Sequence, residues 1–170
     1  MSETRSKRRR WIVWGVEILF FIVLFLAIKA WAQRDMISGE APALSGYDLN
    51  GELVSLADFR GQTVLVHFWA TWCRICQLEQ GSIETLSHSW PVLTIATQSG
   101  NAQELREHMA ANGLTHTVIV DADGRLAANY GVRGVPASFV VDGNGEIRFR
   151  ETGFTTGWGL RTRLWLARVL

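Results

Sequence analysis

The feature that most restricts this chain is a long apolar run near its start, from Trp11 to Ala32 (WIVWGVEILFFIVLFLAIKAWA). As a helix, its 22 residues would be about 33 Å long, enough to cross a hydrocarbon core of about 30 Å. Tryptophans lie at both ends of the run, at Trp11 and Trp14 and again at Trp31, and such rings favour the membrane interface. We therefore predict a transmembrane anchor over residues 11–32.

The charge beside the run predicts its orientation. A basic tail over residues 1–10 ends in KRRR, and positive residues next to a membrane helix stay in the cytoplasm. The rest of the chain would then lie in the periplasm of a bacterium, anchored in the lipid bilayer of the inner membrane. A cleaved signal peptide is an alternative because residues 30–32 have a small-x-small form, but the run exceeds the usual apolar core of about 7–15 residues. The other alternative is a helix buried in the core of a soluble protein. The arginines directly before the run disfavour it.

The remainder of the chain has the size and composition of one folded domain. Residues 33–40 (QRDMISGE) are predicted as a polar linker and residues 41–170 as the domain, which is long enough to bury a core. The whole chain is 48% hydrophobic and 19% charged, which excludes a disordered protein. A net charge of +1 gives no reason to expect a nucleic-acid partner.

Apolar runs alternate with helical patterns along this domain. The predicted strands are a hairpin over 44–56 with its turn at Asn50-Gly51, two buried strands at 63–69 and 92–97, and three shorter strands at 117–120, 137–141 and 146–150. The predicted helices are one on the apolar positions Ile75, Leu78, Ile83 and Leu86, one from the capping box of Asn101 to about Asn112, and others at 125–130 and 160–170. This order predicts an α/β fold with a central mixed β-sheet flanked by helices.

The chemistry of the chain is concentrated in Cys73 and Cys76, its only two cysteines. They lie between the predicted strand 63–69 and the following helix, so Cys73 stands at a helix N-terminus. Free N–H groups and the helix dipole stabilise an anion there, and the neighbouring Arg74 adds positive charge. We expect Cys73 to be exposed and to ionise readily, and Cys76 to be buried one turn further on. In such a pair Cys73 attacks a disulfide and Cys76 resolves the mixed disulfide.

Less reactive interpretations of the pair are weaker. Buried structural cysteines would not need a place between strand and helix, and a permanent disulfide around so small a loop would add little stability. A structural zinc site needs about four ligands, and no further cysteine or histidine flanks the pair. The distant His88, His108 and His116 are predicted as ordinary surface residues. The pattern therefore predicts thiol–disulfide exchange without a metal or a cofactor.

The segment from Phe68 to Cys76 (FWATWCRIC) resembles the active-site segment of thioredoxin-like proteins. The start of the domain at Ala41-Pro42 and the later stretch 130–136 (YGVRGVP) are similar to the TlpA-like branch of that family. This resemblance implies a thioredoxin-like fold with an N-terminal β-hairpin, joined here to a single transmembrane helix. Within the branch, the chain most resembles the membrane-anchored copper-sensitivity suppressor protein D group, with the thiol reductases of cytochrome c maturation as relatives.

Two positions depart from the branch. It commonly has a proline between the cysteines, where this chain has Arg74, and another after the pair, where residues 79–81 (EQG) have none. These departures concern the redox potential and the choice of partner rather than the exchange mechanism.

The resemblance implies a protein disulfide oxidoreductase that reduces disulfides or oxidised thiols of substrate proteins. Because the chain has no third cysteine, a membrane electron-donor thiol protein would regenerate the pair. A second hypothesis is a copper-binding or copper-delivery module on the same fold, since two thiolates could hold Cu(I). Copper carriers of that kind have a wider cysteine spacing and a distal histidine, which disfavours this hypothesis.

The resemblance also implies supporting residues. Trp72 and Arg74 flank the first cysteine, and the Val135–Pro136 peptide bond is expected to be cis and to lie against the pair. The Val135 backbone would then be free to pair with an extended substrate segment.

His67 occupies a place where thioredoxin-like proteins often hold a buried acid or amide beneath the second cysteine. Alternation along the strand does not decide which face it joins. It is either a core histidine kept neutral by burial, or a base that takes the Cys76 proton during resolution. In the second case, His67→Ala should slow substrate release and flatten the pH dependence between about 5 and 8.

Overall fold

The apolar run and the residues before it form one long helix. The computed structural model describes residues 3–170, and helix α1 extends over Glu3–Ala32. Its part from Trp14 to Ala32 is long and apolar enough to cross a membrane, and none of that stretch is buried inside the protein. Helix α1 is therefore a candidate for a single membrane span. The first two residues of the basic tail predicted over 1–10 lie outside the described residues.

A second compact unit, Asp35–Leu170, contains the remaining elements. Its strands are β1 (Gly39–Glu40), β2 (Ser45–Tyr47), β3 (Leu53–Ser55), β4 (Val64–Trp69), β5 (Val92–Thr97), β6 (Thr117–Asp121), β7 (Ala137–Val141) and β8 (Glu146–Thr152). Its helices are α2 (Arg74–Ser87), α3 (Ala102–Ala111), α4 (Arg125–Asn129) and α5 (Gly157–Val169), with a 3₁₀ turn at Leu56–Phe59.

Six strands form one mixed sheet in the order β1-β8-β7-β4-β5-β6. Strands β4, β5 and β6 are parallel, whereas β7, β8 and β1 run antiparallel to their neighbours. Every residue of β4 and β5 is buried, as continuous apolar runs predict for strands covered on both faces. The predicted α/β class with a central mixed sheet is confirmed.

The two faces of the sheet have different covers. On one face, Leu65 packs with residues of α2 and α5, and Trp69 packs with the two cysteines and with α3. On the opposite face, Phe68 packs with Met36 and Tyr130, next to the hairpin and α4. Because side chains alternate along a strand, the cysteine pair shares its face of the sheet with α2, α3 and α5.

The predicted hairpin over 44–56 is confirmed as the antiparallel pair β2 and β3. Its turn forms at Asn50-Gly51, where Gly51 has a φ of +84°, a conformation that glycine adopts at little cost. The Asp48 side chain supports the turn by accepting hydrogen bonds from the N–H groups of Asn50 and Glu52, at 2.8 and 2.9 Å.

The chain joins the domain before residue 41, within the stretch that the sequence describes as a linker. Met36 is buried in the core, and the Ile37 N–H donates to the Tyr130 carbonyl at 3.3 Å. Residues Gly39–Glu40 pair with β8 as an edge strand. Composition does not reveal this packing because Met36 and Ile37 are the only apolar residues between 33 and 40, apart from Gly39.

Candidate active site

The cysteine pair lies at the junction of a buried strand and a helix. Strand β4 ends at Trp69, and α2 begins at Arg74 with Cys73 as its N-cap residue. A disulfide joins Cys73 to Cys76, and their Cα atoms are 5.2 Å apart. The Cys76 N–H donates to Cys73 Sγ at 3.1 Å, so this sulfur occupies the place of a capping oxygen. A thiolate on Cys73 would therefore lie against the free N–H groups of the helix.

The two cysteines differ less in exposure than the sequence predicts. Cys76 is 1% exposed, as expected, but Cys73 is only 7% exposed. The expectation of an exposed Cys73 is wrong for the disulfide form because Trp69, Ala70 and Val135 pack around the residue. Cys73 remains the more accessible of the pair, by a small margin.

The loop before β7 approaches the first cysteine from the side. The Val135–Pro136 peptide bond is cis, as predicted, and the Val135 carbonyl oxygen lies 3.5 Å from Cys73 Sγ. Pro136 is buried and Val135 is half-buried. The Pro136 carbonyl accepts a hydrogen bond from the Gly153 N–H at 2.9 Å, which ties the loop to the end of β8. These contacts place the Val135 main chain directly beside the reactive sulfur.

Trp72 precedes Cys73 in the sequence, and its ring is held by the loop after β5. Its Nε1–H donates to the Gln98 carbonyl at 2.9 Å, and the Thr71 N–H donates to Ser99 Oγ at 3.1 Å. Gln98 itself has a φ of +48°, which is uncommon for a residue other than glycine. The Trp72 ring is 64% exposed, and Arg74 is exposed as well. Both residues that flank Cys73 are thus available to a partner.

The buried face of α2 differs from the predicted one. Ile75 and Leu78 are 48% and 72% exposed, although the sequence assigns them to the apolar face. The residues buried on this helix are Cys76, Glu79, Gln80, Ile83 and Leu86. Their spacing of three and four is helical when counted from the second cysteine. A helical pattern that starts at Cys76 instead of Ile75 would have predicted that Glu79 and Gln80 are buried.

Glu79 is a candidate functional residue that the sequence prediction missed. It is 2% exposed and lies one turn beyond Cys76 on the same face of α2. The Thr155 N–H donates a hydrogen bond to Glu79 Oε1. Burial raises the pKa of Glu79 to about 7, although the hydrogen bond from Thr155 acts in the opposite direction. A carboxyl group with this pKa can take up or release a proton near neutral pH.

His67 faces the side of the sheet that carries the cysteines. Leu65 and Trp69 lie on that face, and every second residue of a strand points to the same face. His67 is 2% exposed, and its Nδ1 lies 2.9 Å from Ser138 Oγ on the adjacent strand β7. Burial, with a smaller contribution from the charge of His116, lowers the pKa of His67 to about 3. The imidazole is therefore neutral between pH 5 and 8, as both the core-histidine and the proton-acceptor alternatives require.

The other histidines have separate surroundings. His88 is exposed and lies 3.4 Å from Glu84, whereas His108 is half-buried. His116 is only 7% exposed, so its prediction as a surface residue is wrong; its Nδ1 lies 3.3 Å from Thr94 Oγ1 in the core. Among residues 3–170, no three side chains of His, Cys, Asp or Glu are grouped as metal ligands.

The sequence of this chain is similar to those of known proteins. The model of the AhpC/TSA family matches residues 37–150. The "Thioredoxin-like protein" of Haemophilus influenzae is 26% identical over 155 residues, which cover 90% of this chain and 92% of the relative. The thiol-disulfide oxidoreductase ResA of Geobacillus thermodenitrificans is 30% identical over 168 residues, which cover 93% of this chain and 97% of the relative.

A solved structure shares the fold. The thiol:disulfide interchange protein assigned as DsbE from Chlorobium tepidum is 25% identical and superimposes with a TM-score of 0.69. The match covers 78% of this chain and 98% of the other. The predicted thioredoxin-like fold is thereby confirmed.

Proposed function

The chain belongs to the AhpC/TSA family, and from this membership and the geometry of the cysteine pair we propose that it reduces disulfides in substrate proteins as a thiol–disulfide oxidoreductase. The observation that carries the proposal is the disulfide at the start of α2, with the Val135 carbonyl 3.5 Å from Cys73 Sγ. A relative that covers almost the whole chain bears the name thiol-disulfide oxidoreductase. That name describes the same class of chemistry.

Reduction of a substrate begins with both cysteines as thiols. The Cys73 thiolate attacks one sulfur of the substrate disulfide, an S–S bond forms between them, and the other substrate sulfur leaves as a thiolate that takes up a proton. The Cys76 thiolate then attacks Cys73 Sγ, which forms the Cys73–Cys76 disulfide and releases the second substrate thiolate. Two electrons pass from the pair to the substrate.

A proton must leave Cys76 before it can attack. We assign this proton to the carboxylate of Glu79, which lies one turn away on the same buried helix face and whose pKa of about 7 suits the exchange. His67, with a pKa lowered to about 3 by burial, is a weak base in this range. We therefore interpret His67 as a residue that supports the site through the core.

The substrate segment would lie beside Val135. A backbone next to a buried proline, just before the start of β7, suits an extended peptide that adds to the sheet by main-chain hydrogen bonds. Trp72 and Arg74 flank Cys73 in the sequence and are exposed, and they would contact the same segment. The proposed substrate-binding site therefore includes Val135, Trp72 and Arg74 in addition to the two cysteines.

We place the enzyme in the bacterial inner membrane. Helix α1 would act as the anchor, with the basic tail in the cytoplasm and the catalytic domain in the periplasm. A membrane thiol protein would supply the electrons, because Cys73 and Cys76 are the only cysteines of the chain. Within the family we assign the chain to the copper-sensitivity suppressor protein D group, with the thiol reductases of cytochrome c maturation as its relatives.

The proposal is tested by reduction of insulin disulfides with dithiothreitol as electron donor. The wild-type protein should accelerate the reaction, Cys73→Ser should abolish the acceleration, and Cys76→Ser should accumulate a mixed disulfide. Wild-type activity in Cys73→Ser would contradict the mechanism. Equilibration with glutathione buffers tests the direction: a potential below about −200 mV supports reduction, whereas one near the −120 mV of strong oxidants contradicts it. A Cu(I) titration of the reduced protein tests the copper-module hypothesis in parallel.

A further inference from the structure

The outward face of α5 carries two tryptophans that the domain leaves uncovered. Trp158 is 82% exposed and Trp165 is 56% exposed. They are seven positions apart, about two helical turns, so both rings lie along one side of the helix. The opposite side holds Leu160, Leu164 and Ala167, which are buried with residues of the sheet and α2. The tryptophans are therefore not needed to attach α5 to the domain.

Positive charge accompanies the exposed rings. Arg161 and Arg168 are exposed beside the tryptophans and, by helical geometry, lie on the same flank. Arg163 lies on the other flank, where it is paired with Glu151 at 2.7 Å. The sequence of α5 contains no aspartate or glutamate. Its outward surface thus combines large aromatic rings with positive charge that no acidic side chain of the helix balances.

This combination identifies the kind of surface that the helix fits. Tryptophan rings favour the level of the lipid headgroups, and arginines near the surface are attracted to anionic lipids. We propose that the outward face of α5, defined by Trp158, Arg161, Trp165 and Arg168, docks on the surface of an anionic lipid bilayer. The inference rests on the proposed membrane anchor, because α1 would tether the domain to a bilayer.

A second copy of the chain fits this face less well. A twofold contact between two α5 faces would bring the exposed arginines of both copies together, and α5 offers no acidic side chain to balance them. Lipid phosphates would supply the missing negative charge. Since α5 shares a core with α2, docking would also fix the direction in which α2 presents its cysteines.

The test uses the full chain in nanodiscs, with 5-fluorotryptophan in place of tryptophan. The ¹⁹F signals are assigned with single Trp→Phe variants, and a spin-labelled lipid in the bilayer broadens the signals of rings close to it. Trp31 serves as the positive control for the anchor. Trp72, which is 64% exposed on the domain, is the matched control for exposure. Discs of phosphatidylglycerol and phosphatidylcholine in equal amounts are compared with discs of phosphatidylcholine alone.

We expect the spin-labelled lipid to broaden the Trp158 and Trp165 signals more than the Trp72 signal, and to do so chiefly in the anionic discs. Arg161→Gln with Arg168→Gln should weaken docking by about fivefold for each arginine removed. Arg106→Gln with Arg125→Gln removes the same charge from other helices and should leave the broadening unchanged. Both double variants should reduce insulin at the wild-type rate.

The outcomes separate docking from the other proposals. Equal broadening of Trp158, Trp165 and Trp72 would overturn docking while Trp31 still reports an inserted anchor. Equal effects in neutral and anionic discs, or in both double variants, would overturn the role of charge. Broadening that grows with protein concentration without the spin label would identify a second copy as the occupant instead. Loss of the Trp31 effect would overturn anchor and docking together, and the insulin assay would still report the redox activity separately.

Discussion

Glu79 provides the sharpest test of the mechanism at the scale of single residues. Glu79→Gln keeps the shape of the side chain and removes the group whose pKa burial raises to about 7. We expect resolution by Cys76 to slow about 100-fold, with little change in the first capture by Cys73. The pH dependence of resolution near neutrality should disappear. Single-turnover kinetics with a disulfide peptide, between pH 5 and 9, measures both steps.

A control for this variant is Glu107→Gln, which changes an exposed carboxylate on α3 and should alter neither step. Equal slowing of capture and resolution by Glu79→Gln would contradict proton transfer at Cys76 and indicate a general loss of the site's structure.

Two buried groups should make stability depend on pH in opposite directions. Burial lowers the pKa of His67 from 6.5 to about 3, so the unfolded chain binds a proton there that the folded chain does not. The free energy of unfolding should therefore fall as the pH falls through this window. The pKa of Glu79 is raised from 4.5 to about 7, so its contribution to stability should fall as the pH rises through that window.

His67→Gln should remove the acid-side decline, and Glu79→Gln should remove the decline toward neutral pH. His67→Gln should also cost about 1 kcal/mol at pH 7 if its contact with Ser138 is lost. Urea unfolding over a pH series measures these effects. A change in the pH profile of catalysis between 5 and 8 in His67→Gln would instead restore the hypothesis of a catalytic histidine.

The sequence could predict those properties of these residues that depend on their neighbours along the chain. It could not predict those that depend on residues distant in sequence. The reactivity of the cysteine pair depends on its neighbours in sequence, and the pattern of strand, pair and helix reveals it. The burial of Cys73 depends on Val135, which is 62 positions away, and no local pattern reports that packing. The raised pKa of Glu79 likewise arises from tertiary burial.

Secondary-structure elements also differ in how far the local sequence determines them. Strands β4 and β5 were predictable because both their faces are buried, which requires continuous apolar residues. Helix α2 was predictable as a helix but not in its orientation, because it buries Glu79 and Gln80 and exposes Ile75 and Leu78. A helix that carries a site departs from the apolar pattern where its chemistry requires it.

Helix α3 allows a test of how an element supports the site. Asn101 caps this helix by accepting hydrogen bonds from the N–H groups of Gln103 and Glu104, at 2.8 and 3.1 Å. Asn101→Ala should lower the free energy of unfolding by about 1–2 kcal/mol. Because Leu105 and Met109 of α3 pack in the cluster that contains both cysteines, hydrogen exchange should also accelerate around the pair.

The control is Gln103→Ala, at an exposed position of the same helix, which should change the free energy of unfolding by less than about 0.5 kcal/mol. An equal loss of stability in both variants would contradict a capping role for Asn101.

At the scale of the whole molecule, the charge of the chain divides with its two units. Residues 1–32 contain six lysines and arginines against two glutamates, whereas residues 33–170 contain 11 arginines against 14 acidic residues. This asymmetry predicts that the two parts have different surroundings. The sequence placed the division near residue 40, whereas the compact unit that holds the cysteines begins at Asp35, because a few apolar side chains within a polar stretch are enough to pack on the core.

The orientation of the whole chain can be tested in a Gram-negative host. The protein should keep its full mass, remain in membranes washed with alkaline carbonate, and react at Cys73 with a membrane-impermeant maleimide in intact spheroplasts after mild reduction. Changing the basic stretch 7–10 to serine should reduce the labelled fraction, because these charges hold the start of the chain in the cytoplasm. The control changes four arginines between residues 106 and 168 to serine, which removes the same charge, and it should keep the labelling. A shortened, soluble product would identify a signal peptide, and labelling only after lysis would place the cysteine pair in the cytoplasm, where a reducing pool would supply its electrons directly.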